Sequence, residues 1–241
     1  MEDIQGKQPK NSRLKIVLVF ISSLILGYLL FILPDLFFGI SKINGGKKGI
    51  NLLFIALFQF FSILGLLSLS LKILGKDFKS IGLNARKLNK DILLGLGFGL
   101  AWTLLQFLLI IPLTGGANRA DIQALVEMYD GSLVGLLSFI ALGAIGGGIT
   151  EELFNRGFFI SVLKDAFKDP KTGLWISASL SVLIFALGHM PASALDWLDI
   201  LIPTTIYTLL YIKTQRLTAS ILAHASYNSM AIILTYYIYA T

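Results

Sequence analysis

Residues 92–113 read ILLGLGFGLAWTLLQFLLIIPL, a stretch of 22 residues without a single charge. An apolar stretch of about 20 residues, coiled as an α-helix, is long enough to cross the hydrocarbon core of a bilayer. Four more uncharged stretches occur at 16–33, 50–71, 131–150 and 217–241, and two shorter ones at 172–188 and 200–212. These stretches predict an all-α, polytopic membrane helix bundle with about seven or eight transmembrane helices.

The composition agrees with a membrane protein. Of the 241 residues, 55% are hydrophobic and 14% are charged, whereas a soluble domain carries about 25% charged residues. The chain has no cysteine, which excludes disulfides, thiolate nucleophiles and cysteine-ligated metals. The first apolar stretch follows basic residues, as in a signal peptide, but it lacks a small-residue cleavage site. We therefore expect it to be retained as the first helix.

The loops differ in charge, and this difference predicts the orientation of the chain. Lysine and arginine are concentrated in 7–15, 72–90, 164–171 and 213–216, whereas 114–132 has only Arg119 and 190–199 has none. The loop 34–49, with three lysines, is the exception. Basic loops are typically cytoplasmic, so we expect a multi-pass protein of the cell membrane with a cytoplasmic N-terminus. Because the charge of +6 is spread over four loops, we expect a lipid bilayer and no nucleic acid as a partner.

Two segments between the apolar stretches have their own patterns. The basic segment 76–91 is typical of a stretch at the cytoplasmic membrane surface, beside anionic headgroups. Residues 119–129 predict a short outer helix with Ile122, Leu125, Val126 and Tyr129 on one side.

Three charged residues stand inside an apolar stretch, GGGITEELFNRGFFISVL at 146–163. Each charge at mid-membrane depth costs roughly 2.5–3.5 kcal/mol unless it is compensated. Glu152 and Arg156 are four residues apart, so on a helix they lie on one face and can pair. Glu151 points about 100° away and needs a partner from another helix, or water.

The only two histidines also fall in apolar stretches. His189 has Phe185 one turn before it, and His224 has Asn228 one turn after it. Because the bilayer core offers no polar partners, we expect the histidines, Asn228 and Glu151 to meet inside the bundle. Helix rises place Glu151 and His189 at about 25 and 24 Å from the cytoplasmic end, but His224 at only about 12 Å. The last depth does not match the other two.

Three glycines, Gly146, Gly147 and Gly148, precede the glutamates. These glycines are equally consistent with two interpretations. They either leave room for water and substrate beside Glu151, or they allow close helix packing, as small residues often do in membranes.

Three motifs now stand in order: Glu-Glu-x-x-x-Arg at 151–156, Phe-x-x-x-His at 185–189 and His-x-x-x-Asn at 224–228. In this order, on apolar helices, they resemble the CPBP family of intramembrane proteases, which includes the type II CAAX prenyl endopeptidases and the bacterial Abi proteins. The resemblance covers roughly residues 130–240. We accordingly divide the chain into N-terminal transmembrane helices with a cytoplasmic basic loop, 1–125, and a CPBP-like catalytic core, 126–241.

The resemblance implies an intramembrane endopeptidase that hydrolyses a peptide bond with a glutamate-activated water. By match to the motifs, Glu151 is the general base and His189 helps to hold the water, while His224 and Asn228 stabilise the oxyanion. The matching supporting residues are Glu152, Arg156 and Phe185. No cofactor is expected on this interpretation. Zinc is the alternative, with Glu151, His189 and His224 as three ligands, although the helical HExxH spacing is absent.

Two other classes of function stay open on the sequence alone. The first is a non-catalytic membrane protein of the same fold, an immunity or scaffold factor that binds a peptide or partner. The second is a small transporter with buried proton-relaying residues, although the chain shows no inverted repeat. For a protease, the substrate is a peptide or a membrane protein. Prenylated CAAX proteins, peptide pheromones, bacteriocin precursors and membrane-protein tails all fit.

Overall fold

The computed structural model describes residues 12–240, and every regular element in this part of the chain is helical. Lys7 and Lys10 of the first basic segment, and Thr241, lie outside it. The long helices are α1 Arg13–Ser41, α2 Asn51–Ile73, α3 Leu88–Leu113, α5 Leu133–Ala166, α6 Pro170–Gly188 and α7 Ala194–Thr214. The short α4 is Ala120–Glu127, and α8 is Thr218–Thr235, continued by a π-helical turn over Tyr236–Ala240. The predicted all-α bundle is confirmed.

Six of the described helices, α1, α2, α3, α5, α6 and α7, are long and apolar enough to cross a membrane. Helix α8 with its π-helical turn is also of spanning length, although polar residues such as His224 and Asn228 interrupt its apolar character. With α4 the bundle has eight helices within the described residues. The chain is therefore a multi-pass membrane protein, and its many exposed leucine and isoleucine side chains, as along α1, face the lipid.

Three of the basic segments meet at one end of the bundle. Lys76 and Asp165 form an ion pair of 2.7 Å, which joins the segment after α2 to the end of α5. Arg216, between α7 and α8, pairs with Asp91 near the start of α3 at 2.5 Å. We call this the basic end, and the other end, where α1 finishes and α5 begins, the opposite end. The assignment of the basic end to the cytoplasm stays a prediction.

The segment after α2 is part of the bundle as well as of its surface. Ile81 is fully buried, its carbonyl accepts a hydrogen bond of 3.1 Å from the Tyr211 hydroxyl, and the Gly82 carbonyl accepts one from the Leu217 amide at 3.0 Å. The segment thus packs against the turn between α7 and α8 and holds it by these two hydrogen bonds. Helix α8 consequently begins deep inside the basic end, and this explains why the depth calculated for His224 did not match.

The core lies mainly on the basic side of the glutamates. Residues 152–162 of α5 are all buried. Their phenylalanines pack with Phe20 of α1 and Leu67 of α2 in one apolar cluster. Gly27 of α1 lies so close to the Phe154 ring that a Cβ at residue 27 would overlap it. Helix α5 is therefore enclosed by its neighbours from Glu152 towards the basic end.

Candidate active site

Helix α5 is π-helical over most of its central part, at Leu142–Glu151 and Leu153–Ile160. π-helical turns are rare and are frequently found at functional sites. The two adjacent glutamates at this point have different surroundings. The side chain of Glu151 is 24% exposed, whereas that of Glu152 is fully buried. Glu151 is thus the carboxylate that a solvent molecule or a substrate can reach.

The ion pair predicted from the four-residue spacing is present. Arg156 Nη1 lies 2.9 Å from Glu152 Oε1, and neither side chain is exposed. The guanidinium also donates to the carbonyl oxygen of Thr204 on α7 at 3.2 Å and to its hydroxyl. The central carbon of the guanidinium, Cζ, lies 4.6 Å from the centre of the Phe185 ring on α6. This distance is within the range of a cation–π contact. Arg156 therefore ties α5, α6 and α7 together beneath the site.

His224 of α8 lies between the two glutamates. Its Nδ1 is 3.0 Å from Glu152 Oε1, and its Nε2 is 3.9 Å from Glu151 Oε2. An ionised carboxylate can only accept hydrogen bonds, so Nδ1 carries the proton of this bond and Nε2 is left facing Glu151. The imidazole stacks on Tyr207, with ring centres 4.7 Å apart. Its orientation is thereby fixed from two sides.

Asn228, one turn further along α8, approaches the glycine-rich part of α5. Its side-chain amide donates to the carbonyl oxygen of Gly143 at 3.1 Å, and a Cβ on Gly147 would come within 2.5 Å of Asn228 Nδ2. Gly148 instead packs against the backbone of Ala225 on α8. Gly148 therefore allows close helix packing, whereas Gly147 lies beside Asn228 and lines the cavity. That its lack of a side chain leaves room for water and substrate stays a prediction.

His189 has fewer contacts with the other predicted site residues. It follows the last residue of α6, its side chain is exposed, and its Nδ1 lies 2.9 Å from the Phe185 carbonyl oxygen of its own helix. Its ring centre is 4.5 Å from that of Phe185, which in turn is 6.2 Å from the ring of His224. The structure therefore brings Glu151, Glu152, Arg156, His224 and Asn228 together, and it joins His189 to this cluster through Phe185 rather than by a hydrogen bond to Glu151.

The alternative hypothesis of a zinc site can be compared with this geometry. The ligands of that hypothesis are Glu151, His189 and His224. Among the described residues, no three His, Asp or Glu side chains are grouped closely enough to hold a metal ion. His224 Nδ1 is engaged by Glu152, and His189 Nδ1 is engaged by its own helix. In this arrangement the three residues do not fit a three-ligand zinc site.

A cavity of about 340 Å³ leads to Glu151. Its volume falls at the lower end of the range of small-molecule sites. Polar groups of Glu151, Asn228 and Gln59 lie along it, and its apolar walls come from α4, α5 and α8. Its remaining polar lining residues are Asp35 in the last part of α1, Lys47 between α1 and α2, and Tyr227 of α8.

Three polar residues beside the site, Tyr28, Asn155 and Gln59, were not predicted from the sequence. The Tyr28 hydroxyl of α1 donates to Asn155 Oδ1 at 3.4 Å, and Asn155 Nδ2 donates to the backbone carbonyl of Glu151 at 3.0 Å. Gln59 of α2 lines the cavity and donates to the Phe31 carbonyl at 3.0 Å. Tyr28 and Gln59 are isolated polar residues in the first two apolar stretches, and this was the signal that could have found them.

The fold thus places a buried, hydrogen-bonded glutamate–histidine cluster inside a membrane helix bundle. Residues 133–230 match the family model described as type II CAAX prenyl endopeptidase Rce1-like. The match runs from the start of α5 into α8 and contains all seven predicted site residues. No curated protein and no solved structure matches the chain significantly.

The match over residues 133–230 is consistent with the CPBP/CAAX protease family and confirms the resemblance based on the three motifs. The chain is a multi-pass membrane protein, and the match supports an intramembrane protease in general. The boundary drawn between residues 125 and 126 stays a prediction.

Proposed function

We propose that this chain hydrolyses a peptide bond with a water molecule activated by Glu151, without a metal ion. The observation that carries the proposal is the position of Glu151. It is the exposed member of the glutamate pair, it lies at a cavity, and His224 Nε2 faces it at 3.9 Å. A positioned carboxylate that removes a proton from water typically contributes about 10²–10⁴-fold to the rate.

The steps follow from the atoms that surround the cavity. Glu151 takes a proton from water, and the oxygen of that water attacks the carbonyl carbon of the scissile bond. The negative charge that develops on the carbonyl oxygen is stabilised by the side-chain amide of Asn228 and by the imidazole of His224, whose Nε2 faces Glu151. An asparagine amide has two N–H donors, and one is used by Gly143, so the other can serve the oxyanion. Glu151 then passes its proton to the leaving amine.

The remaining predicted residues support this chemistry. Glu152 orients His224 through Nδ1, and Arg156 balances the charge of Glu152 in a site where neither side chain is exposed. Phe185 packs against Arg156 and His224. For His189, which packs against Phe185, we propose that it holds water or substrate at the rim of the cluster.

The substrates that fit are the C-terminal segments of CAAX-type proteins and peptide precursors, including those of bacteriocins. The test is cleavage of a broad peptide library by the purified, detergent-solubilised protein, with Glu151→Gln beside the wild type. We expect cleavage by the wild type alone. A correctly folded wild type that cuts no peptide of the library would instead favour the non-catalytic immunity or scaffold function.

A further inference from the structure

Gln59 is a buried polar residue that belongs to none of the three motifs. It stands among apolar residues of α2, in the sequence LFQFF at 57–61, and 7% of its surface is exposed. A buried amide costs free energy unless its polar atoms are hydrogen-bonded. Gln59 nevertheless lines the same cavity as Glu151 and Asn228, although it lies outside the residues 133–230 that match the family model.

The two polar atoms of the Gln59 amide have different surroundings. Nε2 donates to the carbonyl oxygen of Phe31 on α1 at 3.0 Å, and this bond fixes the orientation of the amide. Oε1 consequently points towards α5, where it lies 3.0 Å from the position that a Cβ on Gly146 would take. Among the described residues, no donor is hydrogen-bonded to Oε1. Because an amide oxygen can accept two hydrogen bonds, the cavity contains an acceptor that is available to a ligand.

Gly146 allows Gln59 to come this close to α5. Because residue 146 has no side chain, the Cα of Ala56 on α2 lies only 4.0 Å from the same Cβ position. The next residue, Gly147, lies beside the amide of Asn228 in a similar way. The two adjacent glycines thus accommodate two amide side chains against α5, one from α2 and one from α8.

The distance from Gln59 to Glu151 follows from the helix between them. Gly146 and Glu151 are five residues apart in the π-helical part of α5. This is one turn of such a helix, because its hydrogen bonds join residues i and i+5. A helical turn is about 5 Å long, and an extended peptide advances roughly 3.3–3.6 Å per residue. An extended peptide with its scissile bond at Glu151 therefore reaches Gln59 about one or two residues away from that bond.

We propose that Gln59 is a substrate-binding residue, whose Oε1 accepts a hydrogen bond from a backbone N–H of the peptide close to the scissile bond. The inference rests on the proposed function and specifies its substrates further. A contact with the backbone tolerates many side chains but requires an N–H. The substrate is therefore extended at this position and has no proline there, since proline lacks the N–H. Helix α2 thereby contributes to substrate binding together with residues 133–230.

The proposal is tested by peptide binding in the Glu151→Gln background, where no cleavage is needed. The probe is the fluorescent library peptide that this protein, purified in detergent, binds most tightly in a fluorescence anisotropy assay. We expect the added substitution Gln59→Met to raise the Kd about five- to tenfold, the effect of losing one hydrogen bond. Ser62→Ala is the matched control, since Ser62 is a polar residue one turn further along α2 that does not line this cavity. It should leave the Kd unchanged. An unchanged Kd for Gln59→Met would overturn the proposal.

A set of ester peptides identifies the N–H that Gln59 binds. In each peptide one backbone amide is replaced by an ester, which removes a single N–H. We expect one ester peptide to bind the Glu151→Gln protein about as weakly as the Gln59→Met variant binds the parent peptide, and to lose no further affinity in that variant. If instead the two effects multiply for every ester peptide, Gln59 acts only on the fold and the proposal is wrong.

Gly146→Ala is the second variant if the melting temperature shows that Gln59→Met does not fold. Its Cβ displaces the Gln59 amide without removing it, so it should weaken binding of the parent peptide but not of that ester peptide. Equal weakening of both peptides would contradict the proposal. A protein that binds peptides through Gln59 but cuts none would refute the proposed proteolysis and retain this inference, whereas a folded protein that binds no library peptide would overturn it.

Discussion

His224 donates a hydrogen bond from Nδ1 to Glu152 Oε1 over 3.0 Å, and both side chains are buried. The same carboxylate oxygen lies 2.9 Å from Arg156 Nη1. Glu152, the second glutamate of the motif, therefore does more than form an ion pair with Arg156. It fixes the imidazole so that Nε2 faces Glu151, in the way that a carboxylate orients the histidine of other hydrolases.

This role leads to a prediction for Glu152→Gln. The substitution leaves Arg156 as an unbalanced buried charge, and breaking a buried pair typically costs about 3–5 kcal/mol. The double variant Glu152→Gln/Arg156→Met removes both charges, so we expect its melting temperature in detergent to recover. Its kcat should stay on the order of 10³-fold below that of the wild type, because an amide, unlike a carboxylate, does not hold His224 in the tautomer with the proton on Nδ1. Recovery of both stability and kcat would show that the pair is only structural.

Gly147→Ala tests the space beside Asn228. A Cβ at residue 147 would come within 2.5 Å of the Asn228 amide nitrogen, and the amide must move. Loss of one oxyanion donor lowers kcat by about 10²–10³-fold, and we expect a decrease of that order with KM little changed. Gly97→Ala on α3 is the matched control, since nothing lies within 4 Å of its Cβ position. Equal activity of the two variants would contradict a role for Asn228 at this position.

Tyr28→Phe tests the contact between α1 and the site. It keeps the ring against Phe154 and removes the hydroxyl that donates to Asn155. A typical hydrogen bond contributes about 1 kcal/mol, so we expect kcat to fall about five-fold with KM unchanged. Phe31→Leu alters the neighbouring contact with Phe154 without touching Asn155, and it should lower thermal stability but not kcat. A kcat that falls for Phe31→Leu but not for Tyr28→Phe would show that the Tyr28 hydroxyl does not support the site.

The structure also predicts the response to metal removal. Since Glu151, His189 and His224 are not grouped as ligands, incubation with a strong chelator should leave the cleavage rate unchanged, and added zinc should not increase it. The measurement is the initial rate on one library peptide before and after dialysis against chelator. A loss of activity that zinc restores would establish the metal mechanism instead.

The helices were largely predictable because apolar stretches determine transmembrane segments. The stretch 92–113 became α3, and residues 119–129 gave the short α4, with Ile122 buried. The uncharged stretch 200–212 predicted too short a helix, because α7 begins at Ala194. Its first turns include Asp196, held in a capping box with Ser193, and Asp199, paired with Arg119. Charges that are compensated by a helix cap or by a long-range ion pair interrupt a hydropathy pattern without interrupting the helix.

The site was only partly predictable for a related reason. Motif spacing placed Glu152 beside Arg156 correctly, because that contact is local to one helix. The depth of His224 depended on the insertion of Ile81 and Gly82 beneath α8, a long-range arrangement that no spacing within α8 encodes. The link from Tyr28 through Asn155 to Glu151 likewise joins residues from distant parts of the chain.

The central claim is that Glu151 activates the attacking water, and its most direct test is a comparison of kcat for wild type and Glu151→Gln on the best-cleaved library peptide. The two side chains have nearly the same shape, so differences in folding are small and can be checked by melting temperature. We predict a decrease of about 10²–10⁴-fold, the range for loss of a general base. Cleavage by a folded Glu151→Gln protein at the wild-type rate would contradict the mechanism.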